Sequence, residues 1–228
     1  MNVDIRVSDQ IRQRCPSFVG AAVVSHVHNS ESDPALWQEI DAFIADYRQR
    51  YTTESLKQMP AILATREAYK LCGKDPSRYR PSGEALVRRT LRGMDLYHVS
   101  TLVDLINLAS IAYGYSIGGF DADLIGRSGS DDTIRLTLGI GQEGEPYEGI
   151  GRGVLNIAGL PVYRDAIGGI GTPTSDHERT KLTLGTTHLL AIVNGYDGNQ
   201  QSVYACAQML LTLLMRYAAA TDVEAMMF

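Results

Sequence analysis

Ser82–Ile125 reads SGEALVRRTLRGMDLYHVSTLVDLINLASIAYGYSIGGFDADLI. Two helical segments are followed by a glycine-rich break. The first starts at Ser82, behind Pro81, and stops at Gly93, because glycine accepts the left-handed backbone that closes a helix. The second runs from Ser100 to Tyr113 and is the most apolar in the chain, with Leu102, Val103, Leu105, Ile106, Leu108, Ala109, Ile111 and Ala112 covering most of its circumference. Its polar residues, Ser100, Asp104, Asn107 and Ser110, lie three or four apart and form one stripe. A polar stripe on a buried helix must find partners or water. It therefore lines a pocket, caps neighbouring loops or faces solvent. Gly114, Gly118 and Gly119 break the helix and permit close backbone approach before Phe120-Asp121.

Upstream, the alternation over Val3–Val7 predicts a short strand, and the continuous apolar run Phe18–Val24 predicts a buried one. Asp33-Pro34 opens a helix, with Asp as cap and Pro in the first turn, carried by Trp37, Ile40, Phe43, Ile44 and Tyr47. Glu54–Leu71 reads as a helix broken or kinked at Pro60 and closed by Gly73. Downstream, strands are predicted at Ile134–Ile140, Val154–Ile157 and Leu189–Val193, and a buried helix at Gln200–Ala220. Eighteen of the 22 glycines lie between Gly114 and Gly198, so a mostly helical front half precedes a turn-rich, mostly β second half.

The 228 residues and 44% hydrophobic content describe a globular domain large enough to bury its own core. The charged N-terminus has no signal-peptide pattern and no apolar run spans a bilayer, so a cytoplasmic protein without membrane contact is expected. Cys15, Cys72 and Cys206 are far apart with no CxxC, which excludes a zinc ribbon and a disulfide framework. The net charge of −5 argues against a generic duplex-DNA binder. It is unevenly spread: Arg66–Arg92 holds eight Lys/Arg against three Asp/Glu, a local +5 that marks either a polyanion contact or a solvated helix surface.

Ser82–Ile125 resembles the B3/B4 editing domain of the phenylalanyl-tRNA synthetase β subunit. That family has Val-Asp-x-x-Asn, a Gly, then Pro-Leu-His-Ala-Phe-Asp; this chain has Val103-Asp104-x-x-Asn107, Gly114, then Ser116-Ile117-Gly118-Gly119-Phe120-Asp121. The segments GKDPSRYRPSGEALVRR, GEPYEGIG and SDHERTKLT look like the free-standing relatives of that domain. The resemblance runs from Arg66 to Gly195 and implies an α/β (α+β) fold, a mixed β-sandwich-like core with helices packed around it. The implied organisation is a strand/helix extension over residues 1–65, a B3/B4-like core over 66–198 and a C-terminal helix over 199–228.

The implied function is tRNA editing: binding the aminoacyl end of a mischarged tRNA and hydrolysing its ester, without aminoacylation and without cofactor or metal. The resemblance carries over Asn107 as a pocket residue and Asp104 and Asp121 as pocket or framework residues. The family's histidine position holds Gly118, and THLLAIVNG offers no match for its late acidic residue. His177 is then the candidate replacement base, making Asn107, Asp104 and His177 the candidate catalytic set. Gly118, Gly119, Asp121, Tyr113, Tyr115 and Arg179 are the candidate substrate contacts, and Arg78, Arg80, Arg88, Arg89 and Arg92 the candidate tRNA contacts. The two missing groups also support another expectation: a module that keeps the pocket without the chemistry and binds an amino acid, a small metabolite or a protein.

Three further motifs lack the context that the chemistry they spell would need. Gly139-x-Gly141-x-x-Gly144 follows a strand, but Pro146 and more glycine come next, so a loop is expected rather than a dinucleotide site. His26-x-His28 places two rings on one face of a strand without a third ligand. Ser175–Thr180 contains triad letters, but adjacent residues do not make triad geometry.

Overall fold

The computed structural model describes residues 1–129 and 131–228. In chain order the elements are β1 (Val3–Val7), α1 (Asp9–Arg14), β2 (Val19–His26), α2 (Pro34–Arg50), α3 (Pro60–Leu71), α4 (Ser82–Leu91), α5 (Thr101–Tyr113), β3 (Ser116–Asp121), β4 (Ile134–Ile140), β5 (Glu148–Gly149), β6 (Gly153–Val154), β7 (Pro161–Arg164), β8 (Gly169–Gly171), β9 (His188–Gly195), α6 (Gln200–Tyr217) and β10 (Thr221–Met227). They form a four-stranded sheet ordered β1-β4-β7-β8, a second ordered β10-β2-β9-β3, and a small β5–β6 hairpin. The β1–β4 pair is parallel; the others are antiparallel.

Side-chain alternation produces three layers. Along β2, Ala22 and Val24 face the first sheet, and along β9 so do Leu190 and Ile192; there they meet Ile134, Leu136 and Leu138 of β4. The intervening Ala21, Val23, Leu189, Ala191 and Val193 face α2, α5 and α6. With both faces covered, β2 and β9 need continuous apolar sequence, which is why Phe18–Val24 shows no alternation. The architecture is the expected α+β one, a mixed β-sandwich with helices packed on it.

Local signals set most boundaries. Asp33 Oδ1 accepts from Ala35 N at 2.7 Å and Leu36 N at 3.0 Å, capping α2 ahead of Pro34. Gly114, at φ +76°, ends α5 in the left-handed conformation. Pro60 starts α3 instead of kinking a longer helix, since it lacks the N–H that an interior position requires; Thr53–Gln58 forms a separate 3-10 turn.

Long-range pairing overrides the sequence reading elsewhere. Residues 1–65 are not an extension: β1 lies at the edge of one sheet and β2 between two strands of the other. Residues 199–228 are not one helix either, because α6 stops at Tyr217 and the tail returns as β10, pairing Ala225 with Val23. The reversal is made by Ala219 and Asp222 at positive φ, 45° and 50°. The strand expected at Val154–Ile157 shrinks to β6, whose Val154 is exposed, while Ile157 joins a small core with Tyr69, Tyr147, Leu160 and Val162. Finally, β3 is a fully buried strand despite its two glycines.

Candidate functional site

The structure divides the polar stripe of α5. Asp104 is buried and turned toward α2: Oδ2 accepts from Trp37 Nε1 at 2.8 Å and from the Ser32 hydroxyl, while Oδ1 accepts from Val99 N at 3.1 Å. The Ser100 hydroxyl accepts from Asn29 Nδ2 at 3.3 Å, and Ser110 Oγ donates to the Tyr115 carbonyl just past the helix end. Asn107 makes no side-chain hydrogen bond among the described residues. With Val103, Ile106 and Ser110 it forms one wall of a cavity of about 600 Å³.

The other walls come from four places. Ile117 and Gly119 of β3 form the floor, Ser82 and Leu86 of α4 one flank, and Tyr97 and Val99 the rim. The segment Thr172–Leu182, with Ile150 and Arg152 of the β5–β6 hairpin, closes the remaining side. This strap is held by single bridges from Asp176 to Gly171, His177 to Gly149 and Lys181 to Phe120, so it ties both sheets and the hairpin together. Tyr147 OH donates to the Ser175 carbonyl at 2.7 Å, and the Tyr69 and Thr174 hydroxyls pair at 2.9 Å.

Asp176 is the carboxylate that the strap brings to the cavity. Its Oδ2 accepts from Gly119 N at 3.0 Å, and the surrounding protein pushes its carboxyl up to about 7 because burial penalises the charged form. Its neighbours are small by necessity. A Cβ at Gly118 would lie 2.7 Å from Phe120 Cζ and 3.1 Å from Asp176 Oδ1, and one at Gly171 would meet the same two groups. The position where the resembled family carries histidine is therefore filled from both sides in this chain. Gly119 serves a different purpose: a Cβ there would lie 2.7 Å from Ile106 Cδ1 and 3.0 Å from Leu182 Cδ1, so its absence lets helix and strap close over the strand.

Of the candidate catalytic, substrate and tRNA contacts, Asn107 and Gly119 line this cavity and the others do not; Ser110 of the polar stripe lines it as well. Asp121 caps a short turn by accepting from Asp123 N at 3.1 Å, and it accepts from Thr186 Oγ1 at 2.8 Å. Tyr115 is buried, with its hydroxyl on Asp197 at 2.9 Å, and Tyr113 borders a separate cleft with Tyr47 and Tyr51. His177 stands edge-on to Tyr147, and its Nδ1 accepts from Arg179 N at 2.9 Å. Burial, and next the Arg179 charge, lower its pKa, which keeps the ring neutral near pH 7. Arg179 is committed to Asp165 through bonds of 2.9 and 3.0 Å.

The basic stretch is partly neutralised. Buried Glu84 receives Arg66 at 2.9 Å, Arg88 at 3.1 Å and Arg80 at 3.5 Å, leaving two surplus positive charges around one carboxylate. Arg89 lies over the Tyr97 ring, 4.2 Å from its centroid, and donates to the Asp95 carbonyl. Arg78 and Arg92 are exposed and form no ion pair among the described residues. The glycine and histidine motifs make contacts within the fold. Gly141 packs against the Ile157 carbonyl in a turn with no helix after it. His26 stacks edge-on with His188, which pairs with Asp123 at 2.7 Å. Among the described residues no group of His, Cys, Asp and Glu is placed to hold a metal ion, and no helix is long and apolar enough to cross a membrane.

Sequence reasoning did not assign site roles to Ser82, Tyr97, Asp176 or Lys181. The segment SDHERTKLT is a loop, and a loop has no periodicity to show which of its acids turns inward.

A family model for the B3/4 domain matches residues 64–217. A search of curated proteins finds no match. Among solved structures, the chain is similar to the crystal structure of an N-terminal fragment of the phenylalanyl-tRNA synthetase β subunit from Pyrococcus horikoshii, at 13% identity and a TM-score of 0.48. That alignment covers 99% of this chain and 50% of the fragment, so the chain spans about half the fragment's length. Because the family model takes in most of the chain, including α5, β3 and the strap that enclose the cavity, the protein belongs to the B3/4 domain family.

Proposed function

We propose that the cavity receives the aminoacyl group of a mischarged aminoacyl-tRNA and that the chain hydrolyses the ester. The observation that carries this reading is the pairing of two groups on different walls of one apolar-lined cavity: the uncommitted Asn107 amide and the enclosed Asp176 carboxyl. The cavity volume of about 600 Å³ is ample for an amino-acid side chain with its ester. In the proposed reaction Asn107 donates to the substrate, and Asp176 takes a proton from the water that attacks the ester carbonyl. The acyl–oxygen bond breaks, the ribose oxygen regains the proton, and the products are the free amino acid and uncharged tRNA.

The rim fits an unpaired RNA end. Tyr97 is 70% exposed and backed by Arg89, an arrangement suited to stacking a terminal base. The surplus charge around Glu84, with Arg78 and Arg92, favours phosphates. Action in the cytoplasm, where tRNA is charged, belongs to the same proposal.

The test is a panel of mischarged aminoacyl-tRNAs incubated with the protein and with Asn107→Ala. At least one ester is expected to be cleaved well above the buffer rate, and Asn107→Ala to lose roughly 100-fold. Tyr97→Ala is expected to raise KM for the tRNA ester at least about 5-fold while leaving a small aminoacyl ester unaffected. Cleavage no faster than in buffer would overturn the hydrolase reading. A binding-only module draws support from Gly118, which leaves no room for the histidine of the resembled family; amino-acid binding without turnover in the same assay is its signature.

A further inference from the structure

Cys15 and Cys72 are 57 residues apart in sequence, yet their sulfurs lie 3.9 Å from each other. Cys15 follows the last residue of α1 and Cys72 the last residue of α3. Arg14 Nη1 donates to the Leu71 carbonyl at 3.2 Å, binding the two helix ends together beside the thiols. Both cysteines are buried, but Cys15 borders a cleft of about 270 Å³ that also includes Arg14, Glu67 and Tyr196. Tyr196 lines the same cleft, and its hydroxyl is buried and carries no hydrogen bond among the described residues.

We propose that Cys15 and Cys72 form an oxidisable dithiol, converted to a reversible disulfide by a small peroxide entering this cleft. The Cys72 sulfur, as its thiolate, attacks the O–O bond of hydrogen peroxide, giving a sulfenic acid and one water. The Cys15 sulfur then displaces the hydroxyl of that sulfenic acid, its own proton leaving with the hydroxyl as a second water, and the S–S bond forms. Two thiols are oxidised and one peroxide is reduced to two waters. An external dithiol reverses the change by thiol–disulfide exchange.

Electrostatics assist the first step. The hydrogen bond from Cys15 and the nearby Arg14 charge both lower the Cys72 pKa, and Cys15 retains the shared proton. Cys206 serves as an internal control, since it is buried among the helices with its sulfur directed at the Ala109 carbonyl and neither of the other cysteines beside it.

The experiment treats the full chain with hydrogen peroxide, then denatures it, alkylates remaining thiols and maps the peptides by mass spectrometry. The expected result is loss of two of the three alkylation sites and a peptide pair joined through Cys15 and Cys72, with all three sites restored by dithiothreitol. Retention of three sites overturns the proposal. So does a sulfinic acid on either residue without a cross-link, or oxidation of Cys206 to the same extent. Cys15→Ser and Cys72→Ser are each expected to abolish the joined peptide, and the wild-type mapping is decisive even if a variant folds poorly.

Discussion

Replacing Asp176 with asparagine is expected to abolish ester hydrolysis and, above pH 7, to raise the melting temperature. Both effects follow from one carboxyl. As a general base it is needed for proton transfer, a role that contributes roughly 100- to 10,000-fold to rate. In the native protein kcat/KM should rise with pH through about 7, where Asp176 loses its proton, and then level off. Asp176→Asn should lose at least about 100-fold, together with that pH dependence.

Stability moves the other way. Burial raises the folded-state pKa from 3.8 to about 7, so the folded protein keeps a proton that the unfolded chain has released. Stability from this group is fully present below pH 3.8 and is lost as pH rises through about 7. The full shift sets an upper bound of about 4 kcal/mol. Because Asp176 also faces the cavity, about half of that is the working figure. At pH 8 the asparagine variant should melt roughly 4–8 °C higher than the native protein, and at pH 4 within about 2 °C of it. Thermal melts at the two pH values, paired with the ester assay, check this. Unchanged hydrolysis in the variant removes Asp176 from the chemistry.

Asp104→Ala is expected to produce the largest loss of stability, about 3–5 kcal/mol, without a comparable loss of kcat in the protein that remains folded. The substitution leaves three donors without their acceptor: the Trp37 indole N–H, the Ser32 hydroxyl and the Val99 amide. Trp37 also stacks flat on His98, with centroids 3.5 Å apart, so the change loosens the junction between α2 and the segment leading into α5. Urea denaturation measures the first effect, and active-site-normalised turnover the second. A kcat loss as large as that of Asp176→Asn would return Asp104 to the reacting groups.

The contrast between these two acids shows what could be read from the chain in one dimension. Helical spacing placed Ser100, Asp104, Asn107 and Ser110 on one stripe, and in the structure the last three lie on α5 while Ser100 precedes it as the extended N-cap residue. Spacing does not say what each residue faces along the helix. The N-terminal end of the stripe meets Trp37 and Asn29, while Asn107 opens on the cavity. In the same way, the +5 stretch was countable in sequence, but the convergence of Arg66, Arg80 and Arg88 on Glu84 depends on how α3, α4 and the loop between them pack.

What the sequence determined by itself was whatever short-range physics controls. Asp33-Pro34 and Gly114 mark helix ends because capping and left-handed backbone are local effects. The apolar run into β2 marks a strand covered on both faces because such a strand has no polar side to show. The Val103-Asp104-x-x-Asn107 pattern carried the family resemblance. Only the tertiary structure decided that β3 is a strand, since its glycines make room for Phe120, Asp176, Ile106 and Leu182 from other parts of the chain. It also decided that the tail pairs with β2, that Cys15 meets Cys72, and that Asp176 rather than Asp104 borders the cavity. Each of these depends on contacts between residues distant in sequence, whose closeness arises when sheets and helices pack and leaves no periodic trace in the chain.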